Sequence, residues 1–529
     1  MHRTLTALLL LSLGVITTNA ARPRLVIAIV VDQLRCDYLD RFHDQFTTNG
    51  FRLLMDRGAF MTAAHYDYHP TYTAPGHATI LSGAPPSVHG IIDNDWFDKR
   101  TRRGRYCVED NSVEGVGVKG ASGQRSPRNF IGANLADQLR LHFRSRVVGV
   151  SMKDRGAILP AGRRPLGAYW FDSKSGSFVT STYYHDKLPA WVEAFNQRGR
   201  ARELEKQTWD RLLPESAYTW GDETEGEGKL GREKAPTFPH QVAGSLTTSP
   251  FANQLLAEFA LAALEGERLG ESGGPDLLCV SFSADDYVGH RFGPHSQEVQ
   301  DVTLRLDRQL NDFFNAIDRR IGLENVVIQL TADHGVAPNP EFAIAQGLDG
   351  GRLKEPELML DLLTQLSARF GPGKYFLSPK FNGGVLFFNH EELRERQVSE
   401  GELGAFIREW ALDDGRFHAV YTRGQLLEGR APGRVGEMIL KGYHAERSGD
   451  VILVAKPFLI ASGGTTGTTH GSPWSYDTHV PVLFFGEPFR VGRHPDAFGI
   501  TDIAATMAAA LRIVPPPGSI GHPAVSALK

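Results

Sequence analysis

The chain has 529 residues, enough for one large α/β domain with insertions or for two or more domains of average size. Charged residues make up 22% and hydrophobic residues 41%, proportions that exclude a fibrous repeat and extensive disorder. The formal net charge of −4, without a long run of Lys or Arg, argues against nucleic acid or a membrane surface as partner.

The N-terminus has the pattern of a secretory signal peptide over residues 1–20. Basic residues precede an apolar run at 5–16, and small residues at 18–20 supply a cleavage point. A membrane anchor is the alternative, but so short a run does not comfortably span a bilayer. We therefore predict a soluble mature chain, residues 21–529, exported to the periplasm or the medium.

Short apolar runs recur along the chain, and each leads into polar or Gly-containing sequence. Such runs are typical of strands buried on both faces of a parallel sheet, with ligand-binding loops at their carboxyl ends. Helical patterns alternate with them, including an apolar stripe over 302–317 and an Ala-rich segment at 503–511, so we predict an α/β/α sandwich. The strands are expected at 25–31, 147–152, 277–282, 326–330 and 480–485.

Two stretches are predicted to be insertions in one catalytic domain, at about 156–250 and 340–450, and both could cap the site. The first contains the acidic, Gly-rich run 221–229, which favours a solvated loop over a metal-binding patch.

The three cysteines, at 36, 107 and 279, are too few and too scattered for a thiolate metal site. Any metal must therefore sit on His and carboxylate ligands.

Carboxylate and imidazole side chains cluster where the predicted strands end, which suggests that they converge on one edge of the sheet. Three carboxylates and three imidazoles suit zinc, and six ligands divide naturally between two ions. A single Asp after a strand is usually a helix cap, but six such residues together are hard to explain in that way. The candidate ligands are Asp32, Asp286, His290, Asp333, His334 and His470.

Thr73 has two interpretations. As a plain structural residue it is a helix N-cap, with Pro75 in the first turn of the helix. As a functional residue it is a hydroxyl at a helix N-terminus, where the dipole and free N–H groups favour phosphate and a metal can favour the alkoxide.

In its motifs the sequence resembles the PafA/PhoK-type alkaline phosphatases, relatives of the nucleotide pyrophosphatase/phosphodiesterases. The resemblance covers essentially the whole predicted mature chain, with the motifs in the same order. They are Val30-Val31-Asp32-Gln33, Thr73-Ala74-Pro75-Gly76-His77, His89-Gly90-Ile91-Ile92-Asp93-Asn94-Asp95-Trp96, Lys153-Asp154-Arg155-Gly156, Asp286-Tyr287-Val288-Gly289-His290, Ala332-Asp333-His334-Gly335 and Thr468-Thr469-His470-Gly471-Ser472.

This resemblance implies a site with two Zn²⁺ in which Thr73 is the nucleophile and passes through a phosphothreonine. One zinc would be held by Asp286, His290 and His470, and the other by Asp32, Asp333 and His334, with the Thr73 oxygen as a further ligand. Asn94, Lys153 and Arg155 would contact the phosphate, and the backbone N–H of Ala74 is a further candidate donor.

The Lys153 and Arg155 pair favours phosphate monoesters, because a dianion can offer free oxygens to both cations. A diester must place its second substituent in that space. We therefore predict a phosphomonoesterase for small molecules with promiscuous diesterase activity. The sequence leaves the oligomeric state open, with a monomer as one option.

Several alternatives stay open at this stage. The runner-up function is a nucleotide pyrophosphatase or phosphodiesterase with the same metals and nucleophile. More distant options are a phosphonate hydrolase or sugar phosphomutase of the same fold, and an exported binding protein without catalysis. Among the ligands, His479 competes with His470 and Asp285 with Asp286, while His77 is expected to pack or hydrogen-bond.

Overall fold

The computed structural model of the protein describes residues 22–378 and 380–529. The predicted signal peptide at 1–20 therefore lies outside the described residues. Within those two ranges, no helix combines the length and the apolar character needed to cross a lipid bilayer.

The strands of the described chain are mostly short. In chain order they are β1 (Leu25–Val31), β2 (Ala59–His65), β3 (Asp95–Asp98), β4 (Arg103–Tyr106), β5 (Gly115–Val116), β6 (Val147–Ser151), β7 (Gly167–Asp172), β8 (Ser177–Ser181), β9 (Thr208–Trp209), β10 (His240–Gln241), β11 (Asp276–Phe282), β12 (Val326–Thr331), β13 (Gly351–Leu353), β14 (Val385–Leu386), β15 (Phe417–Thr422), β16 (Val451–Ala455), β17 (Leu459–Ala461), β18 (Val482–Phe485) and β19 (Gly492–Gly499).

The helices vary from single turns to seven turns. They are α1 (Cys36–Arg41), α2 (Phe51–Arg57), α3 (Thr73–Ser82), α4 (Pro86–His89), α5 (Leu135–Phe143), α6 (Asp154–Ile158), α7 (Ala190–Gln197), α8 (Arg200–Leu204), α9 (Pro250–Gly266), α10 (Ala284–Phe292), α11 (Gln297–Ile321), α12 (Pro340–Ala345), α13 (Glu355–Phe370), α14 (His390–Glu395), α15 (Glu400–Asp414), α16 (Arg423–Leu427), α17 (Gly433–Gly442), α18 (Ser475–Thr478) and α19 (Asp502–Leu511).

A ten-stranded sheet forms the centre of the molecule, in the order β19-β2-β18-β12-β1-β11-β6-β7-β8-β5. The five strands from β12 to β7 run parallel to one another, as predicted for an α/β sandwich. Every residue of β1 and β11 is buried. Burial on both faces explains why β1 is a continuous apolar run and why β11 is mostly apolar, with no alternation of apolar and polar residues. The predicted fold class is confirmed.

One predicted strand has a different direction. The run at 480–485 forms β18, which pairs antiparallel with both β12 and β2. A buried apolar run has the same appearance in either direction, so the pattern could not show this. His470 lies in the loop that precedes β18, so it reaches the carboxyl edge of the parallel strands without following a strand of the central sheet.

The two stretches expected to be insertions have different structures. Within 156–250, β7 and β8 belong to the central sheet, and the remainder is mostly loops and short helices. Within 340–450, β14 and β15 pair with β16 in a separate three-stranded sheet. This sheet and helices α13 and α15 enclose a second hydrophobic core that contains Leu362, Ile407 and Trp410.

Candidate active site

The carboxyl ends of four neighbouring parallel strands bring the candidate residues together. Asp32 follows β1 directly, Asp333 lies two residues after β12, and Lys153 lies two residues after β6. Helix α10 begins two residues after β11 and carries Asp286 and His290 on successive turns. Ligands of open parallel sheets bind at this edge.

The first candidate metal-binding group consists of Asp286, His290 and His470, whose ligand atoms all lie within 4.8 Å of one another. The Asp286 Oδ1 atom is 3.1 Å from His290 Nε2 and 3.7 Å from His470 Nε2. Asp286 is buried, and its other oxygen faces Lys153.

The second predicted ligand set, Asp32, Asp333 and His334, lies beside the first and is fully buried. The ligand atoms that cluster most closely there belong to Asp32, Asp286 and His334, which form the second candidate metal-binding group. His334 Nε2 is 3.5 Å from Asp32 Oδ1 and 3.5 Å from Asp333 Oδ2. Asp286 also lies within reach of Asp32 and His334, so it stands between the two groups. The rings of His334 and His470 stack with centroids 3.4 Å apart.

The hydrogen bonds of the three imidazoles show that these residues fit a metal. Each Nδ1 donates to a backbone carbonyl: His290 to Thr468 at 2.8 Å, His470 to Thr71 at 2.8 Å and His334 to Gly335 at 2.9 Å. In the neutral tautomer, each Nε2 therefore turns a lone pair toward carboxylate oxygens, an arrangement that needs a cation between them.

Two buried carboxylate oxygens point to the same conclusion. Asp32 Oδ1 and Asp333 Oδ2 have no hydrogen-bond partner among the described residues. Burial, and then the charges of Asp286 and Asp333, raise the pKa of Asp32 well above its usual range. Burial, and then the nearby His334 and His290, hold the pKa of His470 well below its usual range. Carboxylate oxygens without a hydrogen-bond partner that face the Nε2 atom of His334 are donors that a divalent metal site uses.

Thr73 lies at this site but is not a helix cap. Tyr72 occupies the N-cap position of α3, and no side chain makes a capping hydrogen bond there, so Thr73 is the first helical residue. Its hydroxyl is buried and lies 3.4 Å from His334 Nε2. The cap interpretation is therefore wrong, and the hydroxyl faces the second metal-binding group.

A glycine lets α3 come this close to the ligands. A Cβ atom at Gly76 would lie 2.4 Å from the Asp333 carbonyl oxygen, closer than real Cβ contacts allow. Gly76 therefore permits the close packing that brings Thr73 beside the strand end that carries Asp333 and His334.

Asn94 is held in place by the segment that carries Thr73. Its Oδ1 accepts a hydrogen bond of 2.9 Å from the backbone N–H of Ala74. This contact directs the Nδ2 group away from Ala74, and it also uses the Ala74 N–H itself. The expectation that this N–H donates to phosphate does not hold in this arrangement.

Lys153 and Arg155 follow β6 and lie on the same side of the site. Lys153 Nζ donates to Asp32 Oδ2 at 2.6 Å and to Asp286 Oδ2 at 2.5 Å, so it joins the two metal-binding groups. Arg155 is half-buried, and its Nη1 donates to the Tyr106 hydroxyl at 3.1 Å.

The competing residues make other contacts. His479 Nε2 donates to the Thr62 carbonyl at 2.9 Å, and Asp285 Oδ2 accepts from Asn253 at 2.7 Å. His77 is buried, and its Nδ1 donates to the Thr73 carbonyl at 2.8 Å, so it packs and hydrogen-bonds as expected.

Gln33 was not singled out as a site residue, although it belongs to the first quoted motif. Its Nε2 donates to Asp286 Oδ1 at 2.7 Å, and its backbone N–H donates to Asp333 Oδ1 at 3.1 Å. The residue has a φ of 70°, and a Cβ at Gly289 would lie 1.8 Å from its Oε1. Its position directly after Asp32, at the end of a predicted strand, could have indicated a role at the site.

The sheet, the two groups of Asp and His ligands and the adjacent buried hydroxyl define an α/β metal-dependent hydrolase. The chain belongs to the type I phosphodiesterase / nucleotide pyrophosphatase family, whose model matches residues 26–479.

Within this family, the chain is similar to alkaline phosphatases along nearly its whole length. The chain is 38% identical to alkaline phosphatase PafA of Elizabethkingia meningoseptica over 97% of this chain and 96% of that protein. It is also 38% identical to alkaline phosphatase PhoV of Synechococcus elongatus over 98% of this chain and 95% of that protein. The resemblance to PafA/PhoK-type alkaline phosphatases is confirmed.

Solved structures show the same similarity to PafA. The crystal structure of wild-type PafA matches with a TM-score of 0.92 at 37% identity and covers 96% of this chain and 99% of its own. Phosphonoacetate hydrolase from Sinorhizobium meliloti matches with a TM-score of 0.52 at 17% identity, over 93% of this chain and 96% of its own, which reflects a shared fold alone.

Proposed function

We propose that the chain is an alkaline phosphatase that hydrolyses small-molecule phosphate monoesters by in-line displacement through a phosphothreonine on Thr73. The observation that carries the proposal is the buried Thr73 hydroxyl, 3.4 Å from His334 and free of any capping role. The alkaline phosphatases PafA and PhoV, to which the chain is similar along nearly its whole length, support the reaction class.

Two zinc ions fit the donor set. One set of ligands is Asp286, His290 and His470, and the other is Asp32, Asp333 and His334 with the Thr73 oxygen. When bound, zinc supplies Lewis-acid stabilisation of charge on the attacking and departing oxygens and favours the alkoxide of the hydroxyl. Mixed Asp and His ligands accept several divalent ions, and the family resemblance favours zinc over manganese.

Thr73 carries the covalent chemistry. Its Oγ1 forms a bond to phosphorus as the ester P–O bond breaks, and the departing alcohol takes up a proton while Thr73 loses one. The water oxygen then forms the new P–O bond and gives up a proton, the bond to Thr73 breaks, Thr73 Oγ1 regains a proton, and phosphate leaves. Because α3 begins at Thr73, the helix N-terminus faces the negatively charged phosphoryl group in both steps.

Asn94, Lys153 and Arg155 bind the oxygens that do not react. With its Oδ1 fixed by Ala74, Asn94 can present its Nδ2 hydrogens to one oxygen. Arg155 has N–H groups beyond the one that it gives to Tyr106, and Lys153 is already beside the metal ligands. Donors fixed before the substrate arrives stabilise the charge that phosphoryl transfer spreads over these oxygens.

Two cations here favour a dianionic monoester over a diester. The matching family model nevertheless describes phosphodiesterases and pyrophosphatases, which makes diester hydrolysis the second candidate function. We propose it as a slower, promiscuous activity of the same site. We also propose that the N-terminal signal peptide directs export of the protein to the periplasm or the medium.

The test compares two chromogenic substrates. Purified protein supplied with zinc should hydrolyse 4-nitrophenyl phosphate with a higher kcat/KM than bis(4-nitrophenyl) phosphate, and a chelator should abolish both activities. Metal analysis should find zinc. Equal or reversed preference would overturn the monoesterase proposal, and turnover that is indifferent to the chelator would overturn the metal-dependent mechanism.

A further inference from the structure

A cavity of about 400 Å³ opens beside the proposed nucleophile, between the segment that precedes Thr73, the β3–β4 hairpin and the 340–450 stretch. Tyr72 and Asp93 line it, and each lies one residue before a site residue, Thr73 or Asn94. The cavity is therefore adjacent to the place where the phosphoryl group is proposed to bind. Its volume falls in the range of small-molecule pockets.

The wall of this cavity is aromatic. Tyr72, Trp96, Phe97 and Phe387 contribute to it from three separate parts of the chain. The rings of Phe97 and Phe387 lie 5.2 Å apart, so the hairpin and the 340–450 stretch meet at an aromatic pair. Such faces and edges bind another ring in stacked or edge-on geometry.

Tyr72 connects the cavity to the metal ligands. Its ring packs edge-on against His470, with centroids 5.6 Å apart. A Cβ at Gly471 would lie 2.3 Å from the Tyr72 ring, so the glycine after His470 makes room for it. A ring that stacks on Tyr72 would thus extend away from a phosphate held beside Thr73 and His470.

Charged side chains at the cavity argue against a long alkyl tail as its occupant. Arg102, Arg103 and Lys380 contribute to its lining together with Asp93 and Asp95. A long acyl chain would have to pass these groups and remove water from them, which is costly. A short, planar ring can contact the aromatic wall and leave them hydrated.

We propose that this cavity is a subsite for the aromatic leaving group of an aryl phosphate monoester. This proposal rests on the proposed phosphatase function. It adds that the site prefers aryl phosphate monoesters. The β3–β4 hairpin and the 340–450 stretch contribute wall residues that are neither candidate metal ligands nor the proposed nucleophile, so this part of the wall can be changed without replacing a site residue.

Two variants alter the subsite in opposite ways. Phe97→Ala removes a half-buried part of the aromatic wall. Gly104→Leu fills the space, since Gly104 lines the cavity and a Cβ there meets no atom within 4 Å. The matched controls are Phe376→Ala, a half-buried ring outside the cavity, and Gly424→Leu, an exposed glycine with equally open surroundings.

The experiment measures kcat/KM for phenyl phosphate and for ethyl phosphate, and the inhibition constant of inorganic phosphate. Both cavity variants should lower kcat/KM for phenyl phosphate by about 10-fold, the size of a lost aromatic contact. Ethyl phosphate turnover and phosphate inhibition should stay within about 2-fold of wild type, and the controls should leave all three unchanged.

Other results distinguish failure of the aryl subsite from failure of the proposed phosphatase function. Equal losses for both substrates, or no loss for either, would overturn the aryl subsite while leaving the phosphatase function intact. A larger loss for decyl phosphate than for phenyl phosphate would replace the ring with an alkyl chain and also overturn it. Wild-type protein that hydrolyses neither monoester would instead overturn the proposed function itself.

Discussion

Arg155 is the residue whose removal should change substrate preference most clearly. Its guanidinium is half-buried after β6, and Nη1 donates to the Tyr106 hydroxyl. Arg155 Nε is buried and has no partner among the described residues. The free N–H groups are the donors that a dianionic phosphoryl group would take up, so Arg155→Ala should weaken monoester hydrolysis selectively.

The expected size follows from the number of hydrogen bonds lost. A hydrogen bond to a charged group contributes about 1.5–3 kcal/mol, and loss of one positioned donor in a transition state lowers rates about 10²–10³-fold. Arg155→Ala should therefore lower kcat/KM for 4-nitrophenyl phosphate by about 10²–10³-fold. The monoanionic diester lacks the second free charge, so its kcat/KM should fall less than about 10-fold by the same reasoning.

The assay measures kcat/KM for both substrates in wild type, Arg155→Ala, Arg155→Lys and Arg128→Ala. Arg155→Lys should be intermediate, because it keeps the charge and loses the planar fork. Arg128 is an exposed arginine paired with Asp110, and its removal matches the change in net charge. Equal losses for monoester and diester in Arg155→Ala would refute the role of Arg155 in selecting monoesters.

Three further predictions concern metal and pH. His470→Ala should lose one of the two proposed zinc ions, whereas His479→Ala should keep both, as metal analysis will measure. Removal of metal by a chelator should lower Tm, since a ligand present at 100 times its Kd contributes about 2.7 kcal/mol of stability. Burial, and then the nearby Glu298 charge, raise the pKa of Glu227 above its ordinary 4.5. The folded chain thus keeps a proton that the unfolded chain releases, so stability falls as the pH rises above about 4.5, with a slope of up to about 1.4 kcal/mol per pH unit. Urea unfolding should show this slope reduced in Glu227→Gln, and an unchanged slope would contradict it.

Much of the fold follows from local sequence patterns. The run at 25–31 forms β1 with the same bounds, and the runs near 147, 277 and 326 form parallel strands of the same sheet. Strands buried on both faces give continuous apolar runs, which are easily recognised. Strand direction is not encoded in such a run, which is why the antiparallel pairing of β18 was missed.

The sequence could predict that the candidate ligands lie close together, because parallel strands end at one sheet edge. Side-chain contacts across the fold could not, since they depend on packing between distant segments. Tyr106, which contacts Arg155, comes from a hairpin 49 residues away. The exact start of α3 could not be predicted either, because Tyr72 and Thr73 are adjacent in sequence and only the backbone geometry shows which of them is the N-cap.

The central claim is that the Thr73 hydroxyl attacks phosphorus. The most direct measurement is kcat/KM of Thr73→Ala for 4-nitrophenyl phosphate, in protein verified to carry the same zinc content as wild type, with Thr73→Ser as the variant that keeps a hydroxyl. We expect a loss of about 10³-fold or more for Thr73→Ala, with substantial activity in Thr73→Ser. Turnover of Thr73→Ala within a few-fold of wild type would contradict it.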